Sequence, residues 1–181
     1  MVVRDKAQRV LDRLNALCDG TEWVLLKLDE ASGRGMVISR DCVTQRAYHT
    51  PDVVTWETSD LRKWLNAEYY ESLPEALRAR ILRTEVKTPD SCAIPGGNDT
   101  VDHLFLLSID EYSEILPEAL RQARYHGQPC WWWLRSPGYS TGDVADVYPD
   151  GGLDGGINAH GFYAFADCGG VRPAMFLDLA P

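Results

Sequence analysis

The chain has 181 residues, of which 18 are basic and 27 acidic, so its formal net charge is −9. Its 45% apolar and 25% charged content is typical of a globular protein and too apolar for a disordered one, and its length favours one domain. The acidic balance argues against a nucleic-acid partner, which needs a basic surface, and no apolar run reaches the roughly 20 residues of a membrane span.

The N-terminal part predicts one helix and one hairpin. Apolar residues recur every three or four positions over residues 5–18, which indicates an amphipathic helix that ends at Gly20. Two extended apolar segments follow at 23–28 and 36–43. Turn-forming residues separate them, so they are expected to pair as a β-hairpin.

Two further helices are predicted in the next part of the chain. Ser59 or Thr58 can cap a helix from residue 60 to about 72, because a side-chain oxygen there can accept a hydrogen bond from the first turn. Pro74 suits the first turn of another helix, which we predict over residues 74–83.

An apolar run at 103–107 predicts a strand that is buried on both faces. Ser108 and Glu111 follow it with the spacing of a capping box, so a short helix is expected to begin there. Residues 131–181 lose helical periodicity and become rich in Gly and Asp, which indicates short strands joined by long turns. Helices first and strands last predict an α+β fold.

The sequence contains no pattern that requires catalysis, a cofactor or a metal. The four histidines are far apart, and the nucleophile-elbow and phosphate-loop motifs are absent, so we expect no enzyme and no cofactor. Four aspartates on predicted turns are solvated side chains or, alternatively, ligands of Ca²⁺. They are Asp143, Asp146, Asp150 and Asp154. Their spacing is not that of an EF-hand.

The number and spacing of the cysteines predict free thiols rather than disulfides. Their number is odd and they form no CxxC pair, which argues against a disulfide framework and a zinc site. They are Cys18, Cys42, Cys92, Cys130 and Cys168. Reduced, buried thiols and the lack of a secretory signal pattern favour a cytoplasmic protein.

Residues 139–168 have an unusual composition. These 30 residues contain no Lys, Arg, Glu, Gln, Met or Trp, and consist of Tyr, Phe, Asp, Asn, His, Ser, Thr, Gly, Ala and a few small apolar residues. Such a composition is typical of antibody-like binding surfaces, where rigid aromatic groups provide contact area and small polar groups adapt to the ligand. The alternative is a Gly-rich loop region that only avoids long side chains.

Four motifs in this order resemble those of a known family. They are the helix entry TWETSDLRKWLN at 55–66, TVDHLFLLS at 100–108, WWLRSPG at 132–138 and GVRPA at 170–174. The family is an uncharacterised bacterial and phage domain related to the C-type lectin fold. Some of its members are variable target proteins of diversity-generating retroelements.

The resemblance implies a single C-type lectin-like domain over residues 1–181, with an N-terminal helix at 1–19 and a ligand-displaying region at 131–175. It further implies a non-catalytic module, cytoplasmic or phage-associated, that binds a protein or a cell-surface ligand. Retroelements mutate adenines, chiefly in Asn codons, and such codons cannot become Lys, Glu, Gln, Met or Trp.

The resemblance also assigns residues to two roles. The structural side chains are Trp132, Trp133, Arg135 and Arg172. The expected ligand-binding side chains are Tyr139, Ser140, Thr141, Asp143, Asp146, Tyr148, Asp150, Asn158, His160, Phe162, Tyr163, Phe165 and Asp167. Five aspartates without a basic residue in this segment favour cationic or polar ligands.

Two alternative functions stay open. The lectin fold also occurs in formylglycine-generating enzymes, although Cys130 and Cys168 do not reproduce their cysteine-bearing active site. An assembly protein would instead use the helix at 5–18 as an oligomerisation arm, since that helix lies outside the matched motifs. Packing of the helix on its own domain is the simpler interpretation.

Overall fold

The computed structural model describes residues 2–49, 53–91, 93–153, 161–163 and 169–180, with the backbone alone at residues 2 and 161–163. The strands within these ranges are β1 (Trp23–Asp29), β2 (Arg34–Ser39), β3 (Thr44–Gln45), β4 (Ile81–Leu82), β5 (Thr84–Val86), β6 (Thr100–Asp102), β7 (Ala123–Tyr125), β8 (Gln128–Cys130), β9 (Trp132–Pro137), β10 (Asp143–Val147), β11 (Gly161–Tyr163), β12 (Gly170–Val171) and β13 (Ala174–Asp178). The helices are α1 (Val2–Asn15), α2 (Asp60–Trp64), α3 (Tyr70–Ser72), α4 (Glu75–Arg78) and α5 (Ile109–Glu114), with a π-helix at Leu65–Tyr69 and a 3₁₀ helix at Glu118–Leu120.

The described strands form small sheets that are antiparallel apart from a parallel contact between β9 and β12. One sheet has the order β1-β2-β13-β4 and a second the order β11-β10-β9-β12-β3, while β5–β6 and β7–β8 form separate pairs. Short helices and several small sheets confirm the predicted α+β class. In the described ranges, no helix has both the length and the apolar character that crossing a bilayer requires.

The N-terminal helix packs on the rest of the chain. Ala7, Leu11 and Leu14 are buried, as their spacing predicts, and α1 contacts β1. The side chain of Asn15 joins the two elements, because its Nδ2 donates to the Trp23 carbonyl and its Oδ1 accepts from the Trp23 N–H, both at 2.9 Å. The helix ends at Asn15, three residues before the end of the predicted range 5–18 and before Gly20, which was expected to terminate it.

The predicted hairpin is confirmed, since β1 and β2 pair antiparallel. Gly33 lies in its turn with a φ of +74°, a conformation that glycine adopts without strain, and its N–H donates to the Asp29 carbonyl (2.9 Å). The second predicted helix is also confirmed. It begins after Ser59, whose Oγ accepts from the Arg62 N–H at 3.1 Å.

The second helix widens into a π-helix at Leu65–Tyr69, which the sequence did not predict. Asn66 lies in this turn and binds a distant backbone segment. Its Oδ1 accepts from the N–H groups of His103 (2.7 Å) and Leu104 (3.1 Å), while its Nδ2 donates to the Leu104 carbonyl (2.9 Å). The partners lie far along the chain, so local periodicity carries no sign of them.

The prediction of a helix over residues 74–83 is wrong in its second half. The helix α4 ends at Arg78, and Ile81 and Leu82 form β4 instead. Ile81 is paired with Leu177 of β13, nearly 100 residues later in the chain. A strand-pairing partner that arrives from so far away overrides the local helical pattern.

The strand predicted at 103–107 is also wrong, although the segment is buried as expected. The strand β6 precedes it, and within 103–107 the backbone makes one isolated bridge, between Phe105 and Ala174. Other carbonyl groups of the segment are bound by side chains. The Leu106 carbonyl, for example, accepts from Nη1 of Arg135 at 2.6 Å.

A buried carboxylate joins the second helix to β6. The Asp102 side chain is inaccessible to solvent, and it accepts from Trp56 Nε1 (2.9 Å), Thr100 Oγ1 (2.6 Å) and Arg62 Nη2 (2.7 Å). All three donors depend on this one residue, which makes it a central polar contact of the core.

We expect Asp102→Ala to lower the free energy of unfolding by about 3 kcal/mol or more, because it leaves a buried indole N–H and a partly buried guanidinium without their acceptor. The matched control is Glu22→Ala, which breaks the exposed pair with Arg40 and should cost less than about 1 kcal/mol. Urea unfolding of the three proteins measures both values. Equal costs for the two variants would contradict the assignment.

Candidate functional site

The aromatic segment at 132–138 is buried throughout. Trp132 and Trp133 are fully inaccessible, and each indole N–H finds a carbonyl acceptor, Arg121 at 3.0 Å and Arg46 at 3.1 Å respectively. Trp131 contacts Trp133 edge to face, with ring centroids 4.7 Å apart, so these two rings share one side as strand alternation predicts. We call residues 132–138 and 170–174 the framework.

Arg135 joins three separate segments of the chain to β9. Its Nε and Nη2 donate to the Lys87 carbonyl (3.1 and 2.7 Å), and its Nη1 donates to the Leu106 carbonyl (2.6 Å). Nη1 also forms an ion pair with Glu111, which completes the predicted capping box of α5 with Ser108. A buried guanidinium with this many acceptors holds its neighbours in one arrangement.

Arg172 has a similar position in the second framework segment. It is inaccessible to solvent, donates to the carbonyls of Ser39 (2.8 Å) and Leu120 (2.6 Å), and lies over the Trp132 ring. Burial lowers the pKa of Arg172 to about 10, which still leaves the group charged at neutral pH. Its cation–π contact therefore adds to the stability of the framework.

The chain emerges from the interior directly after Gly138. Tyr139, Ser140 and Thr141 are exposed and form the end of the β9–β10 hairpin, which we call the hairpin tip. The tip is held by its own backbone, since the Asp143 N–H donates to the Ser140 carbonyl at 3.0 Å. These side chains are therefore presented to solvent on a fixed turn.

One expected ligand-binding residue is in the wrong place for that role. Asp146 is fully buried, as are Val144, Ala145 and Val147 of the same strand. It lies opposite Trp133 in the pairing of β9 with β10, and β11 covers the other edge of β10. Strand β10 is internal to the sheet with both faces covered, so Asp146 is not displayed, whereas Asp143 at its start is half-buried.

The other end of β10 leads to a second exposed region. Tyr148 is half-buried and Asp150 is exposed in a turn closed by the Tyr148 N–H, which donates to the Gly152 carbonyl at 2.8 Å. The turn borders a cavity of about 650 Å³, which we call the Asp150 cavity. Its lining residues are Tyr112, Ser113, Glu118, Arg121, Gln122, Asp150, Gly151, Gly152 and Leu153.

The Asp150 cavity is polar and has an arginine stacked at its wall. The guanidinium of Arg121 lies 4.6 Å from the centre of the Tyr112 ring, and the Tyr112 hydroxyl donates to the Gly151 carbonyl. Burial raises the pKa of Tyr112, so the phenol stays protonated and keeps that hydrogen bond. The sequence did not single out Tyr112 or Arg121, because neither belongs to a recognisable motif.

The structure separates the expected ligand-binding residues into these two regions. The five residues of β10 lie between the hairpin tip and the Asp150 cavity, which at ~3.3 Å per residue is about 16 Å. Phe162 and Tyr163 belong to β11, where position 163 pairs with Asp143 next to the tip. Four further expected positions lie outside the described residues. They are Asn158, His160, Phe165 and Asp167.

A neighbouring apolar side chain was missed by the sequence analysis. The backbone N–H of Val54 donates to the Thr141 carbonyl at 3.1 Å, which brings the preceding residue close to the hairpin tip. That residue, Val53, is 70% exposed, an unusual value for an apolar side chain. A valine in a loop belongs to no sequence pattern that would reveal its position beside the tip.

The described residues hold no cluster of three or more His, Cys, Asp or Glu side chains that would bind a metal ion. Of the aspartates considered as Ca²⁺ ligands, Asp146 is buried and Asp150 exposed in a different environment, and Asp154 lies outside the described residues. The described aspartates of the segment therefore do not form a common acidic site.

A family model covers residues 32–179, and its description is a domain of unknown function (DUF6273). The chain belongs to this family. The matched range includes all four motifs, both framework segments and the hairpin tip, and begins after α1. No curated protein and no solved structure matches the chain significantly. The expected membership of an uncharacterised domain family is thus confirmed, and the DUF6273 match itself assigns no activity.

Gly169 tests how tightly the DUF6273 framework is packed. A Cβ at this position would lie 2.0 Å from Trp133 Nε1, so Gly169→Ala should lower the free energy of unfolding by about 3 kcal/mol. At Gly152 the nearest atom is a flexible Asp150 oxygen at 3.2 Å, and Gly152→Ala should cost less than about 1 kcal/mol. Denaturant unfolding compares the two variants. A similarly small cost for Gly169→Ala would mean that the Trp133 indole is not fixed beside Gly169.

Proposed function

We propose that this DUF6273 protein is a non-catalytic ligand-binding module with a C-type lectin-like fold. The abrupt change from buried to exposed residues after Gly138 is the observation that supports the proposal. Seven consecutive residues of the framework are buried, and the next three, Tyr139, Ser140 and Thr141, are exposed. Side chains on a fixed turn at the surface are well placed to serve recognition.

The chemistry of the hairpin tip supports binding of another molecule. Tyr139 offers a rigid aromatic surface that is 37% exposed, and Ser140 and Thr141 add hydroxyl groups that donate and accept hydrogen bonds. The exposed Val53 extends the apolar part of this surface. Aromatic anchors surrounded by small polar groups are typical of binding hot spots.

The size of the exposed surface favours a macromolecular ligand. The hairpin tip and the Asp150 cavity are about 16 Å apart along β10, which exceeds the length of most small ligands. A protein interface of ~800 Å² on each partner would span both regions. We therefore assign the ligand to the class of proteins or cell-surface components, with cationic groups favoured by the net charge of −9.

The binding proposal predicts a specific loss of affinity. The purified chain is screened on arrays of glycans and of bacterial surface proteins, and the affinity for each ligand found is measured. Tyr139→Ala should weaken binding about 30-fold, the effect of removing a hot spot worth ~2 kcal/mol. Val101→Ala is the matched control, since Val101 is 52% exposed on β6 and should leave the affinity unchanged.

An array without any ligand, or equal affinity for the two variants, would contradict the assignment of the binding surface. A conversion of substrate on the arrays without retention of the protein would favour an enzyme instead.

We further propose that this chain is a variable target protein of a diversity-generating retroelement. The residue types at the exposed positions are those reachable from mutated Asn codons, and Tyr139, Ser140 and Thr141 lie at the surface. Substitution there is expected to change the free energy of unfolding by less than about 0.5 kcal/mol. Diversity at these positions would thus change the ligand and preserve the fold.

The retroelement proposal is tested by sequencing. The flanking DNA should contain a reverse transcriptase gene and a near-copy of the region encoding 131–175. Copies from a bacterial population should differ at the codons of Tyr139, Ser140 and Thr141 and agree at Val144 and Asp146, because the last two are buried. A flanking region without either element, or variation spread equally over buried codons, would refute the proposal.

A further inference from the structure

Two cysteines that are far apart in the sequence meet beneath the framework. Cys42 follows β2 and Cys130 ends β8, and both are buried free thiols. A Cβ added to Gly170 would lie 2.5 Å from the Cys42 Sγ and 2.9 Å from the Cys130 Sγ. The two sulfur atoms therefore lie close to the same point beside Gly170. The Cys130 Sγ also donates to the Trp131 carbonyl at 3.1 Å and accepts from Gln45 Nε2 at 3.4 Å.

The backbone holds both cysteines in this arrangement. The Cys42 N–H donates to the Arg124 carbonyl of β7 at 2.9 Å, and β7 pairs with β8 so that Ala123 lies opposite Cys130. The Gly170 N–H donates to the Trp131 carbonyl at 2.9 Å. Three separate segments are thus linked by main-chain hydrogen bonds around the sulfur atoms.

The surroundings favour one thiolate in the pair. The pKa of Cys130 is lowered by the nearby Cys42 thiol, by the Gln45 amide, which donates to its sulfur, and by the nearby Gly170 N–H. The pKa of Cys42 is raised by its interaction with Cys130 and by burial. The guanidinium of Arg172, whose electrostatic effect reaches Cys42, adds positive charge beside them.

A small oxidant has a route to the pair. Cys42 lines a surface cavity of about 130 Å³. The other lining residues are Gly20, Thr21, Glu22, Arg40, Asp41 and Val43. Hydrogen peroxide is little larger than water, which occupies ~30 Å³ in the liquid, so the cavity is large enough to admit it.

We propose that Cys42 and Cys130 form an oxidisable thiol pair, which hydrogen peroxide converts to an intramolecular disulfide. The thiolate sulfur attacks one peroxide oxygen, the O–O bond breaks, and the departing hydroxide takes up a proton to become water. The resulting sulfenic acid is attacked by the other sulfur, the S–O bond breaks, and the second thiol proton leaves with that oxygen as water. Each sulfur loses one electron and each peroxide oxygen gains one.

The disulfide would cross-link the segment after β2 to β8, directly beside the framework. It would close a loop of about 90 residues and restrict the unfolded chain, which raises the melting temperature. The structure thus contains a site of reversible modification that is independent of the ligand surface and of the function proposed for it.

The experiment uses the full chain. Reduced protein is treated with hydrogen peroxide, free thiols are alkylated, and peptides are mapped by mass spectrometry without reduction. We expect a cross-linked peptide that contains Cys42 and Cys130, lacks two hydrogen atoms and disappears on treatment with dithiothreitol. The same cross-link should form in Cys18→Ser, the matched control, because Cys18 is a separate, half-buried thiol.

A second measurement follows the intermediate and the stability. In Cys42→Ala the sulfenic acid on Cys130 has no partner and should be trapped by dimedone, while the oxidised natural protein should melt at a higher temperature than the reduced one. If this variant does not fold, the peptide map of the natural chain decides alone. Thiols that stay alkylatable in excess peroxide, or a cross-link that uses Cys18, Cys92 or Cys168 instead, would overturn the proposal.

Discussion

The buried guanidinium of Arg135 is the contact on which the hairpin and its surroundings depend. Removing a cation from water is costly, and here the cost is offset by two backbone carbonyls and by the Glu111 carboxylate. These acceptors belong to segments that lack regular pairing with β9, so each must be positioned for the charge to be satisfied. The same requirement fixes β9 itself, from which the chain emerges at Tyr139.

Rigidity and exposure are therefore divided sharply between neighbouring residues. Arg172, lying over the Trp132 ring, fixes the second framework segment in the same way as Arg135 fixes the first. The hairpin tip presents hydroxyl and phenol groups at the surface. We expect such a fold to tolerate change at the tip, whereas the proposed disulfide between Cys42 and Cys130 would act beside the framework.

Local patterns predicted the elements whose contacts are local. The Ser108–Glu111 capping box and the β1–β2 hairpin are encoded within a few residues, and both are confirmed. The helix predicted over 74–83 is wrong where β13 pairs with Ile81. The run at 103–107 was expected to pair as a strand, yet its carbonyls are bound largely by side chains such as those of Asn66 and Arg135.

The sequence by itself determined the α+β class, the order of the four motifs and the membership of the DUF6273 family, because these depend on residue types and their spacing. Only the tertiary structure decided that Asp146 is buried while Asp150 is exposed, and that Cys42 meets Cys130. The intrinsic turn and strand propensities of an aspartate are the same at both positions. Burial and proximity depend on which distant segments cover a residue, and that information is not present in its neighbours along the chain.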